Sequence, residues 1–177
     1  MTDYQYQQFP EIVTERLLLR SLQLSDADKV FALRSDPVVN KYTGRKPDKT
    51  VDDSIGFINK ILSGVDAGNC FYWAIVPKEQ QQLAGTVCIW NIDMVEKKAE
   101  LGYELLPECQ GKGFIHETLE AILPFGFQQM KLQTIEAELE ERNSPSIRVL
   151  ESCNFVLMRK FLQDDASMLT YHLSATR

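Results

Sequence analysis

The stretch AELGYELLPECQGKGFIHETL, Ala99–Leu119, decides how the chain is read. It opens as a strand, AELGYELLP, passes through a turn holding Gly111 and Gly113, and enters a helix. A strand, a glycine turn and a helix in that order expose backbone N–H groups at a helix N-terminus, where phosphate oxygens bind. Two familiar phosphate loops do not fit. A Walker loop needs Gly where Leu106 stands and Ser or Thr where Gly113 stands. A dinucleotide fingerprint needs a third Gly where His116 stands, after an early parallel strand.

Upstream, ERLLLRSLQL (Glu15 to Leu24) reads as a first strand. Ser25 then starts SDAD, an N-cap signal with an acid three positions on, opening a helix through Arg34 that Asp36-Pro37 ends. Thr50 with Asp53 caps a second helix, with Val51, Ile55, Ile58, Ile61 and Leu62 at helical spacing and Gly64 as its stop. The runs Phe71 to Pro77, Leu83 to Ile92 and Ala99 to Pro107 predict an antiparallel meander.

Downstream, a helix is expected from about Ile115 to Met130, kinked or cut short at Pro124, which removes a backbone hydrogen bond. Thr134 to Leu139 forms a strand, Asn143 caps a short helix to Cys153, and Phe155 to Phe161 and Met168 to Ser174 supply two more strands. The order predicts an α/β fold, a mixed, mostly antiparallel sheet of about seven strands flanked by helices. With 177 residues and no repeat or linker, a single domain over 1–177 is expected.

Hydrophobic residues make up 44% and charged residues 25%, which excludes a disordered chain, and no apolar run approaches the roughly 18 residues of a spanning helix. No membrane association is expected. MTDYQYQQFPEIVTER lacks the apolar core of an export signal, so a cytoplasmic setting is expected. Cys70, Cys88, Cys109 and Cys153 form no CxxC pair, and His116 and His172 have no ligand spacing, so no metal is expected. A net charge of −6 opposes nucleic-acid binding and favours cationic partners.

Gln110-Gly111-Lys112-Gly113-Phe114-Ile115 resembles motif A of the GNAT acetyltransferases, Gln/Arg-x-x-Gly-x-Gly/Ala, with Ile115 in place of the small last residue. ERLLLR, LAGTVCIWNID and NSPSIRVLESCNF extend the resemblance along nearly the whole chain, to the ribosomal-protein N-terminal acetyltransferase (RimJ/RimL-like) branch. Asn154 stands where that branch carries Gly; Asn is the next most tolerant residue of a left-handed helix stop. The resemblance implies the GNAT (acyl-CoA N-acyltransferase) fold and acetyl-CoA as co-substrate, with the turn Gln110 to Ile115 around its pyrophosphate. It also implies an amine acceptor, and the chain is expected to be a monomer or homodimer. At Ile115 the larger side chain is expected to crowd the cofactor's approach.

Acetyl transfer needs a neutral amine, a stabilised carbonyl oxygen and a proton for the departing thiolate. The resemblance assigns the carbonyl to backbone N–H in the Leu105-Leu106 stretch, the pantetheine arm to Asn143 and the thiolate's proton to Ser146. Glu100, ten residues before Gln110, matches the family's strand base, with Glu104 on the same face as reserve. The alternatives are a solvated strand residue for Glu100 and helix capping for Asn143 and Ser146. Tyr42, Trp73 and Trp90 are aromatic candidates for an acceptor pocket, with core packing the rival role of both tryptophans. Glu136, Glu138 and Glu140 share one strand face, read as solvated. An α-amino acceptor, with a reference pKa near 7.7–8.0 against about 10.4 for Lys, has a large neutral fraction at cellular pH and so suits a weak base. A small amine (polyamine, amino sugar, amino acid) or a non-catalytic acyl-CoA-binding module are the other readings.

Overall fold

The computed structural model describes residues 9–175; the first eight residues, part of the segment read for an export signal, lie outside them. β1 (Ile12–Val13) and β2 (Leu17–Ser21) lead through a 3-10 turn to α1 (Ala27–Ser35), α2 (Pro37–Asn40) and α3 (Val51–Asp66). The meander follows as β3 (Phe71–Pro77), β4 (Gly85–Asp93) and β5 (Lys98–Leu105), then α4 (Phe114–Pro124), β6 (Thr134–Glu140), α5 (Ser144–Ser152), β7 (Val156–Gln163) and β8 (Ala166–Ser174). These strands form one eight-stranded sheet in the order β1-β2-β3-β4-β5-β6-β8-β7. No helix among the described residues is long and apolar enough to cross a membrane.

Several boundaries differ from the sequence reading for local physical reasons. Ser25 does not cap the first helix. Gln23 and Asp26 form the capping box, and the Asp26 carboxylate is drawn into a two-bond ion pair with Arg20 at 2.7 and 2.8 Å. Asp36-Pro37 ends α1 but at once begins α2, with the Asp36 side chain accepting from the N–H of Val38 and Val39. The Thr50–Asp53 box caps α3 as expected, yet α3 runs past Gly64 to Asp66, and it is Gly68 that takes a left-handed φ of +72°. Pro124 ends α4, after which the backbone widens into a π turn over Phe125–Gln129. Asn154 takes φ +64° after α5, the left-handed stop expected of it.

Trp73 is fully buried against Phe71, Phe125 and Phe9, with its indole N–H on the Pro10 carbonyl at 2.7 Å. Trp90 is not a core residue: it is 48% exposed, near the bulge where β4 loses register with β5. Every strand pairing is antiparallel except β5 with β6. That parallel ladder joins only Lys98–Glu100 to Thr134–Glu136, and beyond it the two strands separate. The split in the sheet therefore opens beside Leu101 to Leu105.

Candidate active site

The register of β4 with β5 fixes what the split receives. Leu106 N–H donates to the Ala84 carbonyl at 2.9 Å, and bonded and non-bonded pairs alternate along an antiparallel ladder. Leu101, Tyr103 and Leu105 therefore turn their backbone N–H and C=O away from β4, into the split. Of the Leu105-Leu106 stretch only Leu105 offers its N–H there, and Tyr103 joins it. The Leu105 carbonyl accepts from the Gln110 side-chain amide at 3.0 Å, so Gln110 closes the turn that follows β5.

Gly111 and Gly113 both have left-handed φ, +72° and +77°, and Gly113 is the N-cap residue of α4 without a side chain to occupy its first-turn N–H groups. Gly111, Lys112 and Gly113 are exposed, whereas Phe114 and Ile115 are buried. The Ile115 side chain packs in the core at 8% exposure, so the expected crowding of the loop does not arise from it. The geometry fits a phosphate-bearing ligand: bare N–H groups on a positive helix end, with no Cβ above Gly111.

The two faces of β5 differ in chemistry. On one, Tyr103 Oη donates to the Ser146 carbonyl at 3.3 Å, tying β5 to α5. Asn143 caps α5 through its side-chain oxygen, which accepts from Ser146 N–H at 3.3 Å. The cap uses the Asn143 oxygen and the Ser146 N–H, leaving the Asn143 amide nitrogen and the Ser146 hydroxyl outside it, so neither role excludes the other. Burial raises the Tyr103 phenol well above its ordinary range, which keeps it a neutral donor.

On the opposite face stand Glu100, Gly102 and Glu104, level with Trp90, Cys88 and Thr86 of β4. Glu100 Oε1 accepts from Asn91 Nδ2 at 2.6 Å, and Asn91 has φ +49° at the β4 bulge. Glu104, its side chain 13% exposed, is paired with Arg45 Nη1 at 2.7 Å. Burial raises its carboxyl above the usual range while the Arg45 charge opposes the rise. Arg45 Nε donates to Asn40 Oδ1 at 2.6 Å, and its Nη2 is buried without a partner among the described residues. Tyr72, against the Phe57 ring of α3, shares a hydrogen bond with Thr86 at 3.1 Å. Burial pushes the Cys88 thiol up to about 12, so it is no nucleophile at neutral pH. Tyr42, half-buried between α2 and α3, lies beside Lys41. Glu136 and Glu138 meet Lys98 and Arg159 at 3.5 and 3.0 Å, so the face read as solvated also carries ion pairs.

The acetyltransferase (GNAT) domain family matches residues 16–156. The chain belongs to the GNAT acetyltransferase family. A relative described as an uncharacterized N-acetyltransferase p20 from Bacillus licheniformis is 36% identical over 144 residues, covering 81% of each chain. A GNAT-family acetyltransferase from Bacillus anthracis superposes with a TM-score of 0.82 at 26% identity, covering 93% of this chain and 98% of that one. Spermidine N-acetyltransferase from Vibrio cholerae, solved with CoA and spermine, gives 0.81 at 20%, covering 91% and 96%. A ribosomal L7/L12 alpha-N-protein acetyltransferase gives 0.82 at 18%, covering 94% of each chain. The GNAT domain of this chain is thus an N-acetyltransferase on the GNAT fold, with eight strands where about seven were expected. Likeness at such identities reaches both polyamine and protein acetyltransferases, and it shows their fold alone.

Sequence reading missed Asn91, Tyr103 and Arg45. Asn91-Ile92-Asp93 at the end of an apolar strand was the one available sign of a bulge that re-aims a side chain. Nothing local marks Arg45, whose partner lies in β5.

Proposed function

We propose that this single domain transfers the acetyl group of acetyl-CoA directly to the α-amino group of a protein N-terminus, in the manner of the RimJ/RimL-like branch. The observation that carries the reading is the split between β5 and β6. It has a glycine turn at one end, the backbone of Tyr103 and Leu105 inside it, and Glu100 on the face opposite Ser146. Acetyl-CoA, when bound, supplies an acyl thioester. The turn Gln110 to Ile115 would hold its pyrophosphate through backbone N–H groups, and Asn143 its pantetheine arm. Leu105 or Tyr103 N–H donates to the carbonyl oxygen as it gains charge. Glu100 takes a proton from the amine, through water, and Ser146 gives one to the departing sulfur.

Two features support an α-amino acceptor. Such a group, with a reference pKa near 7.7–8.0, is neutral in a sizeable fraction at neutral pH and needs only a weak base. Arg45 Nη2 is a buried donor without a partner among the described residues, beside Glu104, and suits the carbonyl oxygen next to an N-terminal amine. A polyamine is the second reading, favoured by Glu100, Glu104, Glu136 and Glu138 on one face. Four free cysteines fit a reducing cytoplasm, and we take the assembly to be a monomer or homodimer.

Thiol release from acetyl-CoA, measured with N-terminal peptides, spermidine and an amino sugar in competition, tests the reading. Preference for the peptide is expected. Preference for spermidine would replace the acceptor, and no release with any amine would leave an acyl-CoA-binding module.

A further inference from the structure

Arg16, at the head of β2, takes no part in the scheme above, yet it is bonded to the glycine turn from behind. Glu117 Oε1 accepts the Arg16 backbone N–H at 2.8 Å and the Thr14 hydroxyl at 2.5 Å, while Oε2 accepts Arg16 Nε at 2.6 Å. Thus anchored, the guanidinium donates through Nη1 to the Lys112 carbonyl at 2.9 Å and lies over the Phe114 ring, 5.1 Å from its centroid. A Cβ on Gly113 would stand 3.4 Å from Nη2, so the arginine occupies the side of Gly113 that a side chain would otherwise fill.

The geometry at Lys112 has a direct consequence for the turn. No peptide bond among the described residues is cis, and in a trans peptide unit C=O and N–H point in opposite directions. Holding the Lys112 carbonyl down on Arg16 therefore points the Gly113 N–H outward, in line with the bare first-turn N–H groups of α4. On one side of that peptide unit Gly113 stands at left-handed φ in an exposed turn, and glycine restricts the unit little there. We propose that Arg16 is a positioning residue for the CoA pyrophosphate: it fixes the Lys112–Gly113 peptide in the orientation that presents Gly113 N–H to a phosphate oxygen. Glu117 balances the charge of Arg16 and sets its rotamer, so the service is one of direction and not of long-range attraction. The inference rests on the reading of the turn as the pyrophosphate site.

The test compares CoA with pantetheine, which lacks the pyrophosphate, by calorimetry on the parent protein, Arg16→Lys and Arg16→Gln. KM for acetyl-CoA and kcat are measured alongside. Arg16→Lys keeps the charge but loses the fork that reaches Glu117 and Lys112 together, and it serves if Arg16→Gln folds poorly. CoA affinity is expected to fall about tenfold in the variants, the worth of one hydrogen bond to a charged group, with KM for acetyl-CoA rising to match. Pantetheine affinity and kcat at saturation should stay within about twofold of the parent, as a loss confined to the pyrophosphate requires. A parent protein with no preference for CoA over pantetheine would overturn the reading of the turn itself. A parent that prefers CoA, with variants that keep the same preference, would overturn the role of Arg16 alone. Equal losses for both ligands would mark Arg16 as structural support and likewise overturn it.

Discussion

Asn91 Nδ2 donates to Glu100 Oε1 at 2.6 Å, so this β5 carboxylate is held by a residue that leaves the β4 ladder. The bond leaves Oε2 of Glu100 as the oxygen for a water or an amine. Glu100→Gln is expected to lower turnover at least about tenfold near pH 6.5, where an α-amino acceptor is mostly protonated, and to recover toward the parent rate by pH 9. Turnover at saturating acetyl-CoA across that range is the measurement. A deficit that stays constant with pH would remove the base role and leave Glu100 as a holder of the acceptor.

Ser146→Ala should behave differently, because departure of the thiolate gains nothing from a neutral amine. Its turnover is expected to drop about 10²-fold at every pH, with CoA affinity nearly unchanged, since the Asn143 cap bonds to Ser146 N–H and not to its hydroxyl. Calorimetry with CoA beside the rate profile checks both parts. A pH-dependent recovery like that of Glu100→Gln would assign the proton to another donor.

At Gly111 and Gly113 the backbone limits how the loop can be probed. Both lie at left-handed φ, so a β-branched residue at either costs about 1–2 kcal/mol of stability before any effect on CoA is read. Asn tolerates that conformation, and nothing lies within 4 Å of a Cβ added at Gly111. Gly111→Asn should therefore melt within a few degrees of the parent while binding CoA more weakly, the added side chain standing over the turn. Unchanged CoA affinity would count against the turn as the pyrophosphate site.

Glu117 gives a stability signal in acid. Burial works against its ionisation, but the bonds from Thr14 and from the backbone and side chain of Arg16 outweigh it and hold its carboxyl below the ordinary value. A lowered carboxyl contributes stability that is complete above the unfolded value, near pH 4.3, and lost as pH falls through the folded one. Thermal melts from pH 7 to pH 3 should show Glu117→Gln less stable than the parent at pH 7, with the gap closing below about pH 4. A gap that persists to pH 3 would mean that the bonds do not depend on the charge.

At Gly85, β5 leaves no room for a side chain on β4: a Cβ there would stand 2.2 Å from the Glu104 carbonyl oxygen and 2.9 Å from Leu105 Cα. Gly85→Ala must push β5 away from β4 and is expected to cost about 1–3 kcal/mol. Denaturant melts would read that loss, and a variant as stable as the parent would mean that the strands part easily at this point.

Signals confined to a few neighbouring residues were legible in the sequence. The Thr50–Asp53 box, the Pro124 break, the Asn143 cap and the glycine turn each depend on residues within one or two turns of chain. Where a distant partner intervened, local reading failed. Asp26 was overlooked as a cap because its value there comes with Arg20 across the 3-10 turn. Gly64 looked like a stop, but it is helical, and the left-handed residue is Gly68. Trp90 has apolar flanks, yet β4 at that point has run beyond its cover. The contacts Arg16–Glu117 and Arg45–Glu104 join residues far apart in the chain, and no periodicity encodes them.

The three-residue ladder between β5 and β6 makes the sheet a pair of leaves on a short hinge, β1 to β5 on one side and β6 to β8 on the other. Along the rest of the seam, beyond Glu100 and Glu136, no ladder pairs the two strands among the described residues. A chain of amides such as pantetheine, laid along that seam against Tyr103 and Leu105, would act as a borrowed strand. In that arrangement the protein completes its own sheet by taking up its substrate and reopens it by releasing product.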